Sequence, residues 1–198
     1  MIASVKKLID MKGKTSLITG ATGHLGKVMA NCLSELGSDL VIVDHPNSNL
    51  SKLKSEIISK HKNKVLEISC DLENSNEIHS ILEKITGNFE KLDVLINNAA
   101  FVGSSDLEGW TTSFENQSID TWKRALDVNL TACFQIVQIT KKLLIKSSCA
   151  SIINIGSIYG VVGPDLSIYE GTDMNNPAAY SVSKGGLIQL TRWMSTVL

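Results

Sequence analysis

The chain has 198 residues, of which 43% are hydrophobic and 20% are charged, and its formal net charge is −1. This composition supports a buried core and excludes a disordered chain. The lack of a basic block argues against a nucleic-acid partner, and no apolar run reaches the roughly 18 residues of a membrane span. Because the first residues also lack the continuous apolar stretch of a secretory signal, we predict a cytoplasmic protein in which residues 1–198 form a single domain.

The cysteine and histidine residues show no pattern of a disulfide or metal site. Four cysteines are scattered along the chain without a CxxC pair, and no histidine stands at metal-ligand spacing from them. We therefore predict reduced thiols and no bound metal.

Short apolar runs alternate with longer stretches of helical period, which predicts a parallel α/β sheet. In chain order, strands are predicted at 15–19, 40–43, 65–69, 92–96 and 151–155. Helices are predicted at 24–36, 50–61, 75–85, 119–146 and from Pro177, as its first residue, to the chain end. The first helix is expected to stop at Gly37. With right-handed crossovers the five strands form a doubly wound sheet in the order 3-2-1-4-5.

The longest predicted helix, 119–146, carries an apolar stripe. Its members are spaced three, four or seven residues apart, so we expect them to face the sheet: Leu126, Leu130, Phe134, Val137 and Leu144. The last strand is followed by a loop over residues 156–176, which is long enough to be functional.

A glycine-rich turn, TGATGHLG, runs from Thr19 to Gly26 between the first predicted strand and the first predicted helix. Glycines at this place let the backbone approach a pyrophosphate, and the helix N-terminus offers unpaired N–H groups to the anion. The glycine spacing by itself is weak evidence, because glycines also build simple tight turns.

Asp44 ends the second predicted strand, 18 residues after Gly26. A carboxylate there can bond both hydroxyls of an adenosine ribose and would repel a 2′-phosphate, which favours NAD over NADP. A protonated His45 beside it would soften that repulsion. The simpler alternative is an aspartate that only starts a loop.

Tyr180 and Lys184, in the string YSVSK, lie four residues apart in the last predicted helix and therefore share one face. An ammonium one turn away favours the phenolate form, which a tyrosine needs to exchange a proton with a carbonyl or alcohol oxygen. Taken alone, such a pair is usually structural.

Several motifs in fixed order resemble the short-chain dehydrogenase/reductase family over nearly the whole chain. They are TGATGHLG (19–26), Asp44, CDL (70–72), NNAA (97–100), DVNL (127–130), IGS (155–157) and YSVSK (180–184). The resemblance implies a Rossmann fold and an oxidoreductase that interconverts a secondary alcohol and a ketone by hydride transfer with NAD(P). Two alternatives stay open: a catalytically idle dinucleotide-binding protein, and an NAD-using epimerase or dehydratase of a sugar nucleotide.

The resemblance also implies a catalytic set. Tyr180 is the general acid/base, and Lys184 holds the nicotinamide ribose and favours the ionised form of Tyr180. Ser157 bonds the reacting oxygen, and Asn129 supports a water-linked proton relay. Asn129 stands among apolar neighbours, where an amide is costly unless it has specific partners. Ser157 and Asn129 have simpler alternatives, as a turn serine and as a solvent-facing helix residue.

By the same resemblance, a second set binds the cofactor. Asp71 contacts the adenine, and Asn97 carries the turn beneath the cofactor. The full set is Gly20, Thr22, Gly23, His24, Leu25, Gly26, Asp44, Asp71, Leu72, Asn98 and Ala99, together with Tyr180 and Lys184.

Three departures from the family pattern affect these expectations. The glycines at 20, 23 and 26 are spaced as in the extended branch, whereas the compact branch has a glycine where His24 stands. Residues 164–177 form an apparent insertion between Ser157 and Tyr180, whose acidic and amide residues suit a sugar or another polar hydroxyl or keto substrate. The alternative for this insertion is a solvated surface loop. Family members continue into further strands, so a chain ending at Leu198 is expected to be C-terminally short, and a homodimer or homotetramer is expected.

Overall fold

The computed structural model describes residues 8–103, 107–172 and 174–198. One sheet has the strand order β3-β2-β1-β4-β5. Its strands are β1 (Thr15–Thr19), β2 (Asp39–Asp44), β3 (Val65–Ser69), β4 (Val94–Asn97) and β5 (Ser151–Asn154). The β1–β2, β1–β4 and β2–β3 pairs are parallel. The predicted doubly wound order is therefore confirmed.

The α-helices lie between the strands and after the last one. They are α1 (His24–Glu35), α2 (Leu50–His61), α3 (Ser75–Thr86), α4 (Ile119–Leu126), α5 (Ala132–Ile145) and α6 (Ala178–Met194). A π-helical turn, Asp127–Thr131, joins α4 to α5. Short 3-10 turns occupy Phe114–Asn116, Ile158–Gly160 and Leu166–Tyr169. None of these helices combines the length and the apolarity needed to cross a membrane.

The chain divides into two compact units. The first consists of Met1–Ala99 and Ile136–Ile153, and the second of Ala100–Gln135 and Asn154–Leu198. In the first unit, all five residues of β1 are buried, as expected for the central strand of a parallel sheet. In the second unit, Trp110, Ala125 and Ala179 form a buried cluster. That residues 1–198 form a single domain stays a prediction.

Several boundaries agree with the sequence. β1, α2 and β3 have the predicted limits. The first helix ends at Glu35, before Gly37, whose φ of +100° is a conformation that favours glycine. Pro177 is the N-cap of α6, with ψ of 143°, and not its first helical residue as predicted. β4 begins at Val94, later than the predicted 92, because the Leu92 N–H bonds the carbonyl of Leu143 instead of a neighbouring strand.

The predicted continuous helix 119–146 is wrong at its centre, where the π-helical turn interrupts it. The predicted stripe is also wrong in part: Val137 and Leu144 are buried, but Phe134 is 41% exposed. The buried face passes instead through Ala125, the polar Asn129 and Ile136. Phe134 follows Asn129 by five residues and so points about 140° away from it. Apolar periodicity alone does not predict the buried face of a helix when that face includes a hydrogen-bonded polar side chain.

Candidate active site

The glycine-rich turn packs too closely for side chains. Gly20 has φ of +63°, and a Cβ added to it would lie 2.8 Å from the Cα of Ala99. A Cβ on Gly26 would lie 2.8 Å from the Cα of Ala21. Gly23 is the N-cap of α1, and no side chain among the described residues caps the helix there. The N–H groups of Ala21, Thr22 and Gly23 are bonded within the protein, so it is the first turn of α1 that offers N–H groups to a pyrophosphate.

Asp44 is attached directly to that turn. Its Oδ2 accepts hydrogen bonds from the N and the Oγ1 of Thr22, at 2.7 and 2.8 Å, and its Oδ1 accepts one from the N of His45 at 2.8 Å. These bonds fix the carboxylate at the carboxyl end of β2 and leave a further lone pair on Oδ1, which accepts only one of them. His24 and Leu25, at the start of α1, are exposed.

The NNAA motif holds the turn from the other side. The Nδ2 of Asn98 donates to the carbonyls of Thr19 and Gly20, both at 3.0 Å, and the N–H groups of Asn98 and Ala99 donate to the Oγ1 of Thr19. Asn97 is the buried last residue of β4. The side-chain amide of Asn98 therefore supports the turn, and the predicted role of Asn97 stays a prediction.

Asp71 and Leu72 are half-buried in the connection that follows β3. The Oδ1 of Asp71 accepts a bond from the N of Glu73 at 2.9 Å, and its own N–H donates to the Oε2 of Glu77. This arrangement shapes the entry to α3.

All four predicted catalytic residues lie in the second unit. Lys184 is 3% exposed, and its Nζ donates to the carbonyl of Ile155 at 2.8 Å. The same Nζ lies 5.8 Å from the centre of the Tyr180 ring. Burial lowers the pKa of Lys184, while the nearby Cys133 thiol acts in the opposite direction. A cation is therefore held against the phenol ring at the expense of its own hydration.

Asn129 is fully buried in the π-helical turn. Its Oδ1 accepts a bond from the N of Phe101 at 2.6 Å, and its Nδ2 donates to the carbonyl of Phe101 and to the Oγ of Ser183. Turns of this kind often occur at functional sites. The predicted solvent-facing alternative for Asn129 is wrong, because every contact of its amide lies inside the protein.

Ser157 is the N-cap of the 3-10 turn Ile158–Gly160, and its Oγ accepts a hydrogen bond from the N of Tyr159 at 3.2 Å. Gly160 packs against α6, where an added Cβ would lie 2.7 Å from the carbonyl carbon of Lys184. The segment that carries Ser157 is thus held against the helix that carries Lys184 and Tyr180.

Comparisons with known proteins identify the family of the chain. A model of the short chain dehydrogenase family matches residues 14–198. The 3-oxoacyl-[acyl-carrier-protein] reductase FabG of Rickettsia typhi is 34% identical over 190 residues, which cover 95% of this chain and 68% of that protein. The chain belongs to the short-chain dehydrogenase/reductase family.

Solved structures of this family share the fold and hold either dinucleotide. An NAD⁺-bound xylitol dehydrogenase is 27% identical with a TM-score of 0.79, covering 93% of this chain and 64% of that one. A short chain dehydrogenase from Escherichia coli CFT073 in complex with NADPH is 21% identical with a TM-score of 0.81, covering 95% and 73%. The protein is an oxidoreductase that interconverts a secondary alcohol and a ketone by hydride transfer with NAD(P), the cofactor class of the family.

Two supporting residues of this short-chain dehydrogenase were missed by the sequence reasoning. Ser183 bonds Asn129 and also donates to the carbonyl of Tyr180 at 2.8 Å. Thr19 anchors the NNAA motif. Each belongs to a motif that was recognised, so their position within the motif was the available signal. Gly160 gave no such signal. A side chain at this position is excluded by a contact with α6, which is distant in the sequence.

Proposed function

We propose that Tyr180 is the general acid/base of this oxidoreductase and that the ammonium of Lys184 stabilises its phenolate form. The observation that carries the proposal is the buried ammonium of Lys184, fixed by the carbonyl of Ile155 beside the Tyr180 ring. A fixed cation next to a phenol stabilises the phenolate, so the tyrosine can give up its proton to a substrate oxygen.

A dinucleotide held by the glycine-rich turn and Asp44 would supply the hydride for the carbonyl carbon in the direction of reduction. Tyr180 then donates a proton to the oxygen on which negative charge develops. Ser157 stabilises the same oxygen: because its Oγ already accepts a bond from the N of Tyr159, its own hydrogen is free to be donated. In the direction of oxidation the same groups act in reverse.

Asn129 acts in this proposal as a positioning residue. Its amide binds both backbone polar groups of Phe101 and the hydroxyl of Ser183, which lies next to Lys184 in the chain. These contacts support a role in holding the catalytic helix. The water-linked proton relay that the resemblance implies for Asn129 stays a prediction.

For the cofactor, we propose that the turn 20–26 binds the pyrophosphate and that Asp44 binds the adenosine ribose. Asp71, Leu72, Asn98 and Ala99 complete this proposed site. The fixed carboxylate of Asp44 supports NAD as the preferred dinucleotide, since a 2′-phosphate would be placed against it.

The substrate is a small molecule with a carbonyl or hydroxyl group, and its class is part of the proposal. The residues after Ser157 are apolar and exposed, with Ile158 at 69% and Val161 at 73%, which favours an apolar substrate body next to the reacting carbon. The predicted sugar class rests on polar side chains of 164–177. Of these, Asp165 is engaged in a local cap with Ser167. We therefore propose that an acetoacetyl thioester is a better substrate than a polyol such as xylitol.

The test is Tyr180→Phe, assayed for NADH-dependent reduction of an acetoacetyl thioester and for NAD⁺-dependent oxidation of xylitol. Loss of a general acid/base lowers kcat by about 10²- to 10⁴-fold. Binding of NADH, followed by thermal shift, should persist. Gln189→Ala, on the exposed face of α6, is the control and keeps full turnover. Wild-type turnover in Tyr180→Phe would refute the assignment.

The cytoplasmic location and the homodimer or homotetramer stay predictions. Light scattering on the purified protein measures the second directly, and a monomeric mass at micromolar concentration contradicts it.

A further inference from the structure

The turn that carries Ser157 is held by its own backbone and by α6. The N of Gly160 donates to the carbonyl of Ser157 at 3.0 Å, and the N of Tyr159 donates to the Ser157 Oγ. Gly160 rests on the backbone of Lys184. Tyr159 therefore stands between the serine hydroxyl and the helix contact, and its backbone orientation sets the direction in which the hydroxyl points.

The side chain of Tyr159 reaches a second tyrosine. Its hydroxyl lies 3.0 Å from the hydroxyl of Tyr169, and both residues are half-buried. Tyr169 ends the 3-10 turn Leu166–Tyr169. The bond to Tyr159 raises the pKa of Tyr169. Either of the two hydroxyls can be the donor.

Tyr169 belongs to residues 164–177, the apparent insertion relative to the family, of which Asp173 lies outside the described residues. The end of this segment is tied down, since the Nδ2 of Asn175 donates to the carbonyl of Thr112 at 3.3 Å. Its centre makes local bonds, such as that from the Thr172 Oγ1 to the carbonyl of Tyr169. The two phenols join this centre to the turn of Ser157.

We infer that Tyr169 is a positioning residue that acts through Tyr159 to hold the hydroxyl of Ser157 in place. The inference gives residues 164–177 a part in the reaction that does not require contact with substrate. It rests on the proposed role of Ser157 and adds a residue to it.

The direct test follows the backbone N–H of Tyr159 by residue-resolved amide hydrogen exchange in Tyr169→Phe. Phenylalanine keeps the ring and removes only the hydroxyl. A hydrogen bond of this kind contributes about a fivefold change in the local opening equilibrium, so the Tyr159 amide should exchange about fivefold faster. Tyr159→Phe should give the same acceleration at residue 159. The amides of β1 serve as an internal standard, and Ile168→Val, at an exposed neighbour, is the matched control.

Turnover provides the second measurement. In Tyr169→Phe, kcat for the acetoacetyl thioester should fall about fivefold, while the KM for the dinucleotide stays unchanged. The double variant Tyr159→Phe/Tyr169→Phe should lose no more than either single one. An unchanged exchange rate at Tyr159 in a folded Tyr169→Phe protein overturns the inference. Full turnover in Ser157→Ala instead refutes the proposed role of Ser157, and the exchange result still decides whether Tyr169 holds the turn.

Discussion

The Nζ of Lys184 donates a hydrogen bond to the carbonyl of Ile155, two residues before Ser157. One side chain of α6 thereby fixes the segment that leads to the proposed catalytic serine. The ammonium is 3% exposed, so this contact forms although the charge has lost most of its hydration. The hydrogen bond to Ile155 stabilises the Lys184 ammonium, whereas its burial destabilises the charged form.

The first prediction concerns Lys184→Met. Burial lowers the pKa of Lys184, so between that lowered pKa and the ordinary value near 10.4 the unfolded chain binds more protons than the folded one. Wild-type stability therefore rises with pH through this window. The unfolding temperature of Lys184→Met relative to wild type should be higher at pH 7 than at pH 10, while turnover falls at least tenfold. Thermal unfolding at both pH values measures it.

The matched control for this measurement is Lys141→Met, at an exposed position of α5. Its difference from wild type should be the same at both pH values. A pH-independent difference in Lys184→Met would contradict the assignment of a buried, destabilised ammonium.

The second prediction concerns Asn129→Leu. The apolar side chain leaves the partly buried N–H and carbonyl of Phe101 without the bonds that they make to Asn129. Such loss costs about 1–3 kcal/mol in the free energy of unfolding, which denaturant titration measures. Gln138→Leu, on the exposed side of α5, should change stability by less than about 0.5 kcal/mol. Equal stabilities of the two variants would show that the amide of Asn129 is not needed.

The third prediction concerns dinucleotide preference. Wild-type protein should show a larger rise in unfolding temperature with NADH than with NADPH, because the carboxylate of Asp44 repels the 2′-phosphate of NADPH. A ligand that binds only the folded state adds about 2.7 kcal/mol to the free energy of unfolding at a hundredfold excess over Kd, so the difference is measurable. In Asp44→Asn the ratio of the two Kd values should change about tenfold in favour of NADPH, since one repulsive charge is removed. Asp39→Asn, at the opposite end of β2, is the control. A wild-type preference for NADPH refutes the role of Asp44.

The fourth prediction concerns Asp93, which is 2% exposed. Burial alone would raise its pKa, but hydrogen bonds from the Ser147 Oγ, the Thr15 N and the Lys91 Nζ hold the pKa below its usual range. Its contribution to stability is present above the ordinary value near 3.9 and is lost as the pH falls through the lowered pKa. Asp93→Asn should lower stability at pH 7 by about 1–3 kcal/mol.

The same variant should weaken the decline of stability below about pH 4, as followed by acid unfolding. Glu56→Gln, exposed on α2, should follow the wild-type curve. An Asp93→Asn protein as stable as wild type at pH 7 would show that the three donors gain no stability from the charge of Asp93.

Much of the fold could be predicted because its signals are local. Apolar runs bounded by glycine or polar residues located the strands, and the order of short motifs indicated the family. The predicted limits of α2 agree with the structure, in which the side chain of Asn49 accepts a hydrogen bond from the N of Lys52 at the start of the helix. Hydrophobic pattern and capping act within a few residues, so one sequence is enough to read them.

The candidate site was predicted as a set of residues but not as an arrangement. Lys184 and Tyr180 share a helix, so their closeness follows from spacing alone. Sequence did not show that Asn98 bonds the carbonyl of Thr19, that Asn129 bonds Ser183, or that Tyr169 reaches Tyr159. These contacts join residues that are between 10 and 79 positions apart. The sequence by itself determined which chemical groups are available and which elements carry them. Tertiary packing decided which of those groups meet, because the position of a side chain across the fold depends on the summed geometry of all the elements between.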